Sequence, residues 1–267
     1  LALPPIGGIA ALCPASAVLS GIIVKSGVLG IIRVVYFIFG AEFLKGSWVQ
    51  KVFLGLALGT VFLGSMLAYL EKGLKKRLAY STVSQVSYIL FGLLLLNPAG
   101  MTGAFLHVIF HAVIKSGLFL CAGAIIFRTG KTRVDELRGI GKEMPVTIGC
   151  MTLLSLALIG IPPASGFVSK WYLAVGSLSS ETGFYSWLGP VVLLLSALLT
   201  AGYLLPITMK GFFPGEEESR KGFVRKEADS VMLVPILLLA VLAVVLGMFP
   251  GGLISLISNI AQQLFQM

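Results

Sequence analysis

The sequence predicts an all-α polytopic membrane protein of about seven transmembrane helices plus a partial N-terminal one, with a broken helix near Pro162-Pro163. Three observations lead there. Of the 267 residues, 57% are hydrophobic and only 12% are charged, against about 25% charged in an ordinary soluble domain. Mean hydropathy is +0.98. The apolar residues gather into runs long enough to cross about 30 Å of hydrocarbon as helices. A soluble globule of this composition would expose large apolar patches. Disorder requires low hydrophobicity, and the glycines follow no three-residue period, so disordered and collagen-like chains are excluded as well.

The elements follow in order. Residues 1–13, with Pro4-Pro5 and Gly7-Gly8, read as the tail of a partial span or a loop. The transmembrane domain occupies 14–249. Its first run, 14–40, is interrupted only by Lys25 and Arg33. Runs 52–70 and 78–96 are uncharged, and the second ends at Asn97-Pro98-Ala99-Gly100, a turn signal. Run 101–127 is apolar except for His107, His111 and Lys115. Run 146–178 surrounds Pro162-Pro163, with Lys170 beyond. Proline removes a backbone donor and restricts the residue before it, which predicts a break. In membranes such breaks are tolerated where the freed backbone faces protein or a water-lined cavity. Pro162, Pro163, Ser165, Gly166 and Ser169 are therefore expected to support a hydrated site beside Lys170. Runs 188–209 and 231–249 are uncharged. Residues 250–267 form a C-terminal tail, read as a short interfacial helix or a frayed end.

The connections sort by charge. The net charge of +9 would point a soluble protein toward nucleic acid. Here the basic residues lie between apolar runs, so they report topology, and no nucleic-acid partner is expected. Three connections are rich in Lys and Arg: Lys72, Lys75, Lys76 and Arg77; Arg128, Lys131, Arg133, Arg138 and Lys142; Lys210, Arg220, Lys221, Arg225 and Lys226. The alternate connections hold only Lys45 and Lys51, a contrast of 14 against 2 that alternates after every span. The positive-inside rule places the basic loops in the cytoplasm and the C-terminus outside. The expected location is a bacterial or archaeal cytoplasmic membrane, or an energy-transducing organelle membrane. There is no basic segment with a cleavable apolar core at the start, so no signal peptide is expected. Cys13, Cys121 and Cys150 include no C-x-x-C pair, which argues against a disulfide framework or an iron–sulfur site.

Subtracting the loops leaves the functional candidates. All 11 acids fall in loops or at span ends. Arg33 lies toward the outer end of its run and can snorkel. Lys25, Lys115 and Lys170 remain near the middle of spans, at a cost of about 8–10 kcal/mol for the three together. Intramembrane ionisable residues usually mark ion or proton pathways; the alternative is a lysine that snorkels or bonds a carbonyl. His107, His111 and Lys115 recur at i, i+4, i+8 and so line one helix face for about 12 Å. Imidazole accepts at one nitrogen while donating at the other, which suits a relay near neutral pH. Two satisfied core histidines would be the bland reading. A metal site lacks a third ligand at a convincing spacing.

These residues resemble a known family. Pro14 to Arg33 (PASAVLSGIIVKSGVLGIIR), Leu74 to Gln85 (LKKRLAYSTVSQ), His107 to Leu118 (HVIFHAVIKSGL) and Ile159 to Lys170 (IGIPPASGFVSK) are similar to the C-terminal half of the antiporter-like subunits of complex I, Mrp antiporters and membrane-bound hydrogenase-type complexes. The resemblance implies a helical bundle with two inverted repeats, each holding a broken helix, around a polar axis that carries protons. It implies that Lys25 links two half-channels, that His107, His111 and Lys115 form the central axis, and that Lys170 is the terminal, exit position. The family's first half supplies a Glu and a further Lys absent from this sequence. About half of a translocation unit is thus expected here, with the carboxylate supplied elsewhere.

The function expected is a proton-translocating, non-catalytic membrane subunit of a redox-driven respiratory or hydrogenase-type complex, such as an NADH-quinone oxidoreductase. The alternatives are a subunit of a secondary Na⁺/H⁺ antiporter of the Mrp type and a non-conducting scaffold half-subunit. No cofactor is expected in this chain, and flavin and iron–sulfur clusters are expected in partner subunits if the complex is redox-driven. The expected partners are other membrane subunits, including further antiporter-like ones, together with lipid, H⁺ and, in the antiporter reading, Na⁺.

Overall fold

The computed structural model describes residues 15–213 and 224–266. The expected tail at 1–13, Cys13, Arg220 and Lys221 lie outside the described residues. Nine helices longer than ten residues occur among those described: α1 Ala15–Phe39, α2 Trp48–Leu70, α3 Leu74–Leu94, α4 Pro98–Thr129, α5 Pro145–Ile159, α6 Ser165–Leu178, α7 Phe184–Phe212, α8 Ser230–Met248 and α9 Gly251–Gln266. The described residues contain no strand, and the all-α polytopic architecture expected from the sequence is what the structure shows.

Local chemistry sets the boundaries. The Ser47 side chain accepts from Gln50 N at 3.1 Å and caps α2. Asn97 accepts from Gly100 N at 2.7 Å, and Pro98 sits in the first turn of α4, where its missing N–H costs nothing. α4 stops at Gly130, which has a φ of 72°. Pro145 opens α5 in the same way that Pro98 opens α4.

Helices α1, α2, α4, α7 and α8 are long and apolar enough to cross a membrane. Helix α3 has 21 residues and spans a comparable length, but its buried side includes Arg77, Ser81, Thr82, Ser84, Gln85, Ser87 and Tyr88. The Pro162-Pro163 run is broken into α5 and α6, of 15 and 14 residues. At 32 residues α4 is the longest helix. It packs against the α1 turn Leu19–Ile23 and against α3, α5, α6, α8 and α9. Its Leu106, Phe110, Ile114 and Leu118 form the middle of the main apolar core. The histidine–lysine face therefore sits on the central helix, away from lipid. The C-terminal tail is helical over α9 and packs on α4.

Candidate functional site

Lys25, His107, His111, Lys115 and Lys170 do not hydrogen-bond one another. Lys25, His107, Lys115 and Lys170 are each bonded to groups outside this set, and His111 stacks on His107. Lys25 follows the π-helical turn Leu19–Ile23, where a widened turn changes which carbonyls are free. Its Nζ donates to the Ser20 carbonyl at 2.5 Å. The Ser20 hydroxyl meets Thr82 Oγ1 on α3 at 2.8 Å, and Thr82 Oγ1 donates to the Leu78 carbonyl at 3.0 Å. The Leu78 carbonyl also accepts from Lys115 Nζ at 3.0 Å. One polar link thus runs from Lys25 to Lys115 through α3. Lys115 is fully buried and Lys25 nearly so. Ser20 and Thr82 also border a cleft of about 560 Å³ that reaches Lys75 and Lys76.

The other end of the axis is built around the broken helix. Gly160 has a φ of 93°, a backbone that side chains rarely adopt, and it ends α5 there. The break leaves the Leu158 and Ile159 carbonyls without helical donors, and Lys170 Nζ donates to both, at 2.7 and 2.8 Å. A cation at a helix C-terminus is favoured by about 0.3–1 kcal/mol when exposed and up to about 2 when partly buried. Lys170 also lies 5.4 Å from the centre of the Tyr88 ring. Pro162 and Pro163 are exposed, while Ser165, Gly166 and Ser169 are buried.

His107 connects the parts. Its Nδ1 lies 2.9 Å from Ser169 Oγ and its Nε2 lies 3.1 Å from Gln85 Oε1. Helices α4 and α6 approach closely enough for this because residue 103 is glycine: a Cβ there would fall 2.7 Å from Leu173 N. The His107 ring stacks between Tyr88, at 5.4 Å, and His111, at 5.8 Å and nearly parallel. Neither ring nitrogen of His111 has a protein partner, and the buried Gln85 Nε2, Ser155 Oγ and Ser165 Oγ also have none. Buried polar atoms in such a state lie where water is ordinarily bound in proteins.

The helical face expected from the i, i+4, i+8 spacing is present. The side chains do not exchange hydrogen bonds along it, however: His107 reaches sideways to α3 and α6, Lys115 reaches α3, and His111 bonds to neither. Sequence reasoning missed Ser20, Leu78, Thr82, Gln85 and Tyr88. The available signal was the density of hydroxyls and amides in the stretch Tyr80 to Tyr88, which carries no charge. No carboxylate lies within α1–α9 among the described residues, and none of those residues groups three metal-ligating side chains.

A family model described as "NADH:quinone oxidoreductase/Mrp antiporter, TM" matches residues 8–200. NADH-quinone oxidoreductase subunit N of Desulforudis audaxviator is 38% identical, over 91% of this chain and 49% of that protein. F(420)H(2) dehydrogenase subunit N of Methanosarcina mazei is 31% identical, over 93% of this chain and 50% of that protein. Among solved structures, the Mrp complex from Dietzia sp. DQ12-45-1b contains a chain that superposes with a TM-score of 0.83 at 26% identity, covering 97% of this chain and 55% of that one. The chain spans about half the length of the curated relatives it matches.

Proposed function

The chain belongs to the NADH:quinone oxidoreductase/Mrp antiporter transmembrane family, and from that premise we propose that it is a proton-translocating membrane subunit of a redox-driven complex. It is an integral membrane protein. We assign 14–249 to one transmembrane domain and 250–267 to an interfacial tail, with the basic loops in the cytoplasm and the C-terminus outside. The chain binds no cofactor in this reading. Flavin and iron–sulfur clusters belong to partner subunits, and further antiporter-like subunits are its neighbours in the membrane.

The observation that carries the proposal is the buried link from Lys25 through Ser20, Thr82 and Leu78 to Lys115, in helices that hold no described carboxylate. The route runs from Lys25 to the face of His107, His111 and Lys115, and then through Ser169 to Lys170. Adding a proton to one member changes the electrostatic cost of protonating the next, so loading and release are coupled along the line. Pro162, Pro163, Ser165 and Gly166 act by opening the helix whose carbonyls hold Lys170.

The test is Lys115→Ala in the assembled complex, reconstituted in vesicles. Proton translocation is lost while the subunits still co-purify. Undiminished translocation refutes the central role. The likeness to the Mrp complex favours a second reading, a subunit of a secondary Na⁺/H⁺ antiporter. Purification of the complex separates the two: flavin and iron–sulfur subunits accompany a redox pump and are absent from a secondary antiporter.

A further inference from the structure

The cleft that borders Ser20 and Thr82 changes character along its length. Helix α1 forms one wall and α3 the other, with Phe119 of α4 behind. Helix α1 lies this close to α4 because residue 21 is glycine, and a Cβ there would collide with Ser116 Oγ. The walls are aliphatic, formed by Leu19, Val24, Ala79, Val83 and Val86. Leu19 and Val83 are 54% and 53% exposed, so the cleft opens away from the bundle. The hydroxyls of its deep part are turned inward. Thr82 donates to the Leu78 carbonyl, Ser20 is left to donate to Thr82, and Ser87 donates to the Val83 carbonyl. One end is basic. Lys75 and Lys76 line it, in the first turn of α3, and Glu71 of the same connection accepts from Gly73 N at 2.8 Å. From Lys76 to Ser87 the lining follows α3 for about 16 Å. That is about the depth of one leaflet, half of a hydrocarbon core of about 30 Å.

We propose that this cleft seats one acyl chain of an anionic phospholipid from the cytoplasmic leaflet, with its phosphate against Lys75 and Lys76. Aliphatic walls and satisfied hydroxyls fit hydrocarbon rather than a column of water, since a buried water needs about two to four polar partners. The depth separates a lipid from a neighbouring protein helix. A spanning helix needs a groove of about 30 Å, whereas an acyl chain ends at the mid-plane of the bilayer, as this cleft does. The lysine pair selects the headgroup. Basic pockets between transmembrane helices on the cytoplasmic side attract anionic lipid, and a zwitterionic headgroup brings its own cation to that end. The bound chain lies over Ser20 and Thr82, the two residues that join Lys25 to the Leu78 carbonyl and so to Lys115. It closes the membrane side of that link and keeps water and ions off it. This sealing role rests on the proton-translocating reading. The binding site rests only on the membrane location and the basic end.

The experiment uses the assembled complex in phosphatidylcholine vesicles that contain a trace of phosphatidylglycerol with a diazirine in one acyl chain. After illumination, the labelled segments of this chain are mapped. The proposal predicts label on segments 19–24 and 79–87, displaced by unlabelled phosphatidylglycerol and not by the same amount of extra phosphatidylcholine. Lys75→Gln combined with Lys76→Gln should weaken binding about thirtyfold, the ordinary attraction of two lysines. Val83→Trp, which fills the cleft and keeps both lysines, should abolish the label at normal subunit composition. Label confined to other segments overturns the site, because a neighbouring subunit then covers the cleft. Equal displacement by phosphatidylcholine, or labelling that survives both variants, overturns it as well. Proton translocation per electron transferred should rise with phosphatidylglycerol content over the same range as the labelling, and shift with it in the lysine variant. Translocation that ignores this shift overturns the seal. If Lys115→Ala leaves translocation intact while the site still labels, the proton-translocating reading falls and the lipid site stands.

Discussion

At the scale of single residues, the site is governed by buried groups that need specific partners. His107 is completely enclosed and uses both ring nitrogens, one toward Ser169 and one toward Gln85. Ser169→Ala removes one of these contacts and leaves Nδ1 facing a methyl group. An orphaned buried polar atom costs about 1–3 kcal/mol. The variant should lower the thermal denaturation midpoint of the purified complex and slow proton translocation, with the electron-transfer subunits still bound. An unchanged midpoint would mean that His107 finds another partner. The five ionisable candidates were readable from sequence because a charge or an imidazole in an apolar run is conspicuous. Ser20, Thr82 and Gln85 were not, because serine, threonine and glutamine occur throughout membrane helices and turns for local reasons. Only the third dimension shows that Ser20 holds Lys25, that Thr82 shares the Leu78 carbonyl with Lys115 and that Gln85 holds His107.

At the scale of elements, the broken pair α5 and α6 depends on how α5 is anchored at its far end. The Glu227 carboxylate accepts from Val146 N at 2.8 Å, Thr147 N at 3.3 Å and the Thr147 hydroxyl at 2.5 Å. A carboxylate there satisfies first-turn N–H groups and suits the positive end of the helix dipole. Glu227→Ala should cost about 0.5–2 kcal/mol, as the loss of a helix cap does. Amide hydrogen exchange at Val146 and Thr147 should accelerate, while exchange around Lys170, beyond the break, stays as in the parent. Unchanged exchange would show that α5 is held by packing alone. The neighbouring Arg133–Asp135 pair, 2.9 Å apart, makes a contrasting case. The hydrogen bond from Arg133 holds the Asp135 carboxyl below the usual carboxylate range. Any stability it adds is present above the ordinary carboxylate pKa and is lost only as pH falls through the lowered folded value. Thermal stability of an Asp135→Asn variant should therefore track the parent from pH 5 to 8. The double proline made the helix break legible in the sequence. The anchoring acid lay 82 residues from Pro145 and was not legible, because a loop glutamate gives no sign of which helix it caps.

At the scale of the whole molecule, the orientation in the membrane follows from where the charges gather. The basic connections meet at one end of the bundle through backbone hydrogen bonds: Leu74 N to Thr132 O, Val134 N to Lys72 O, Gly139 N to Lys210 O and Lys226 N to Glu143 O, all between 2.8 and 3.0 Å. The poor connections meet at the other end, where Lys45 lies 3.7 Å from Glu181 and Asn97 donates to the Gly176 carbonyl at 2.7 Å. The alternation counted along the sequence is thus also a separation in space, with an even number of crossings between any two loops on the same side. Lysine and arginine in short loops resist translocation far more than acids do, so the basic end should face the cytoplasm. The check is cysteine labelling in right-side-out and inverted vesicles, using Lys72→Cys for the basic end and Glu181→Cys for the other, in a Cys13→Ser background. Both positions are exposed, and the Lys45–Glu181 pair lost in the second variant is a surface ion pair worth about 0–1 kcal/mol. A membrane-impermeant maleimide should label Lys72→Cys only in inverted vesicles and Glu181→Cys only in right-side-out ones. The opposite pattern would invert the orientation, while labelling of both from one side would contradict the crossing count itself.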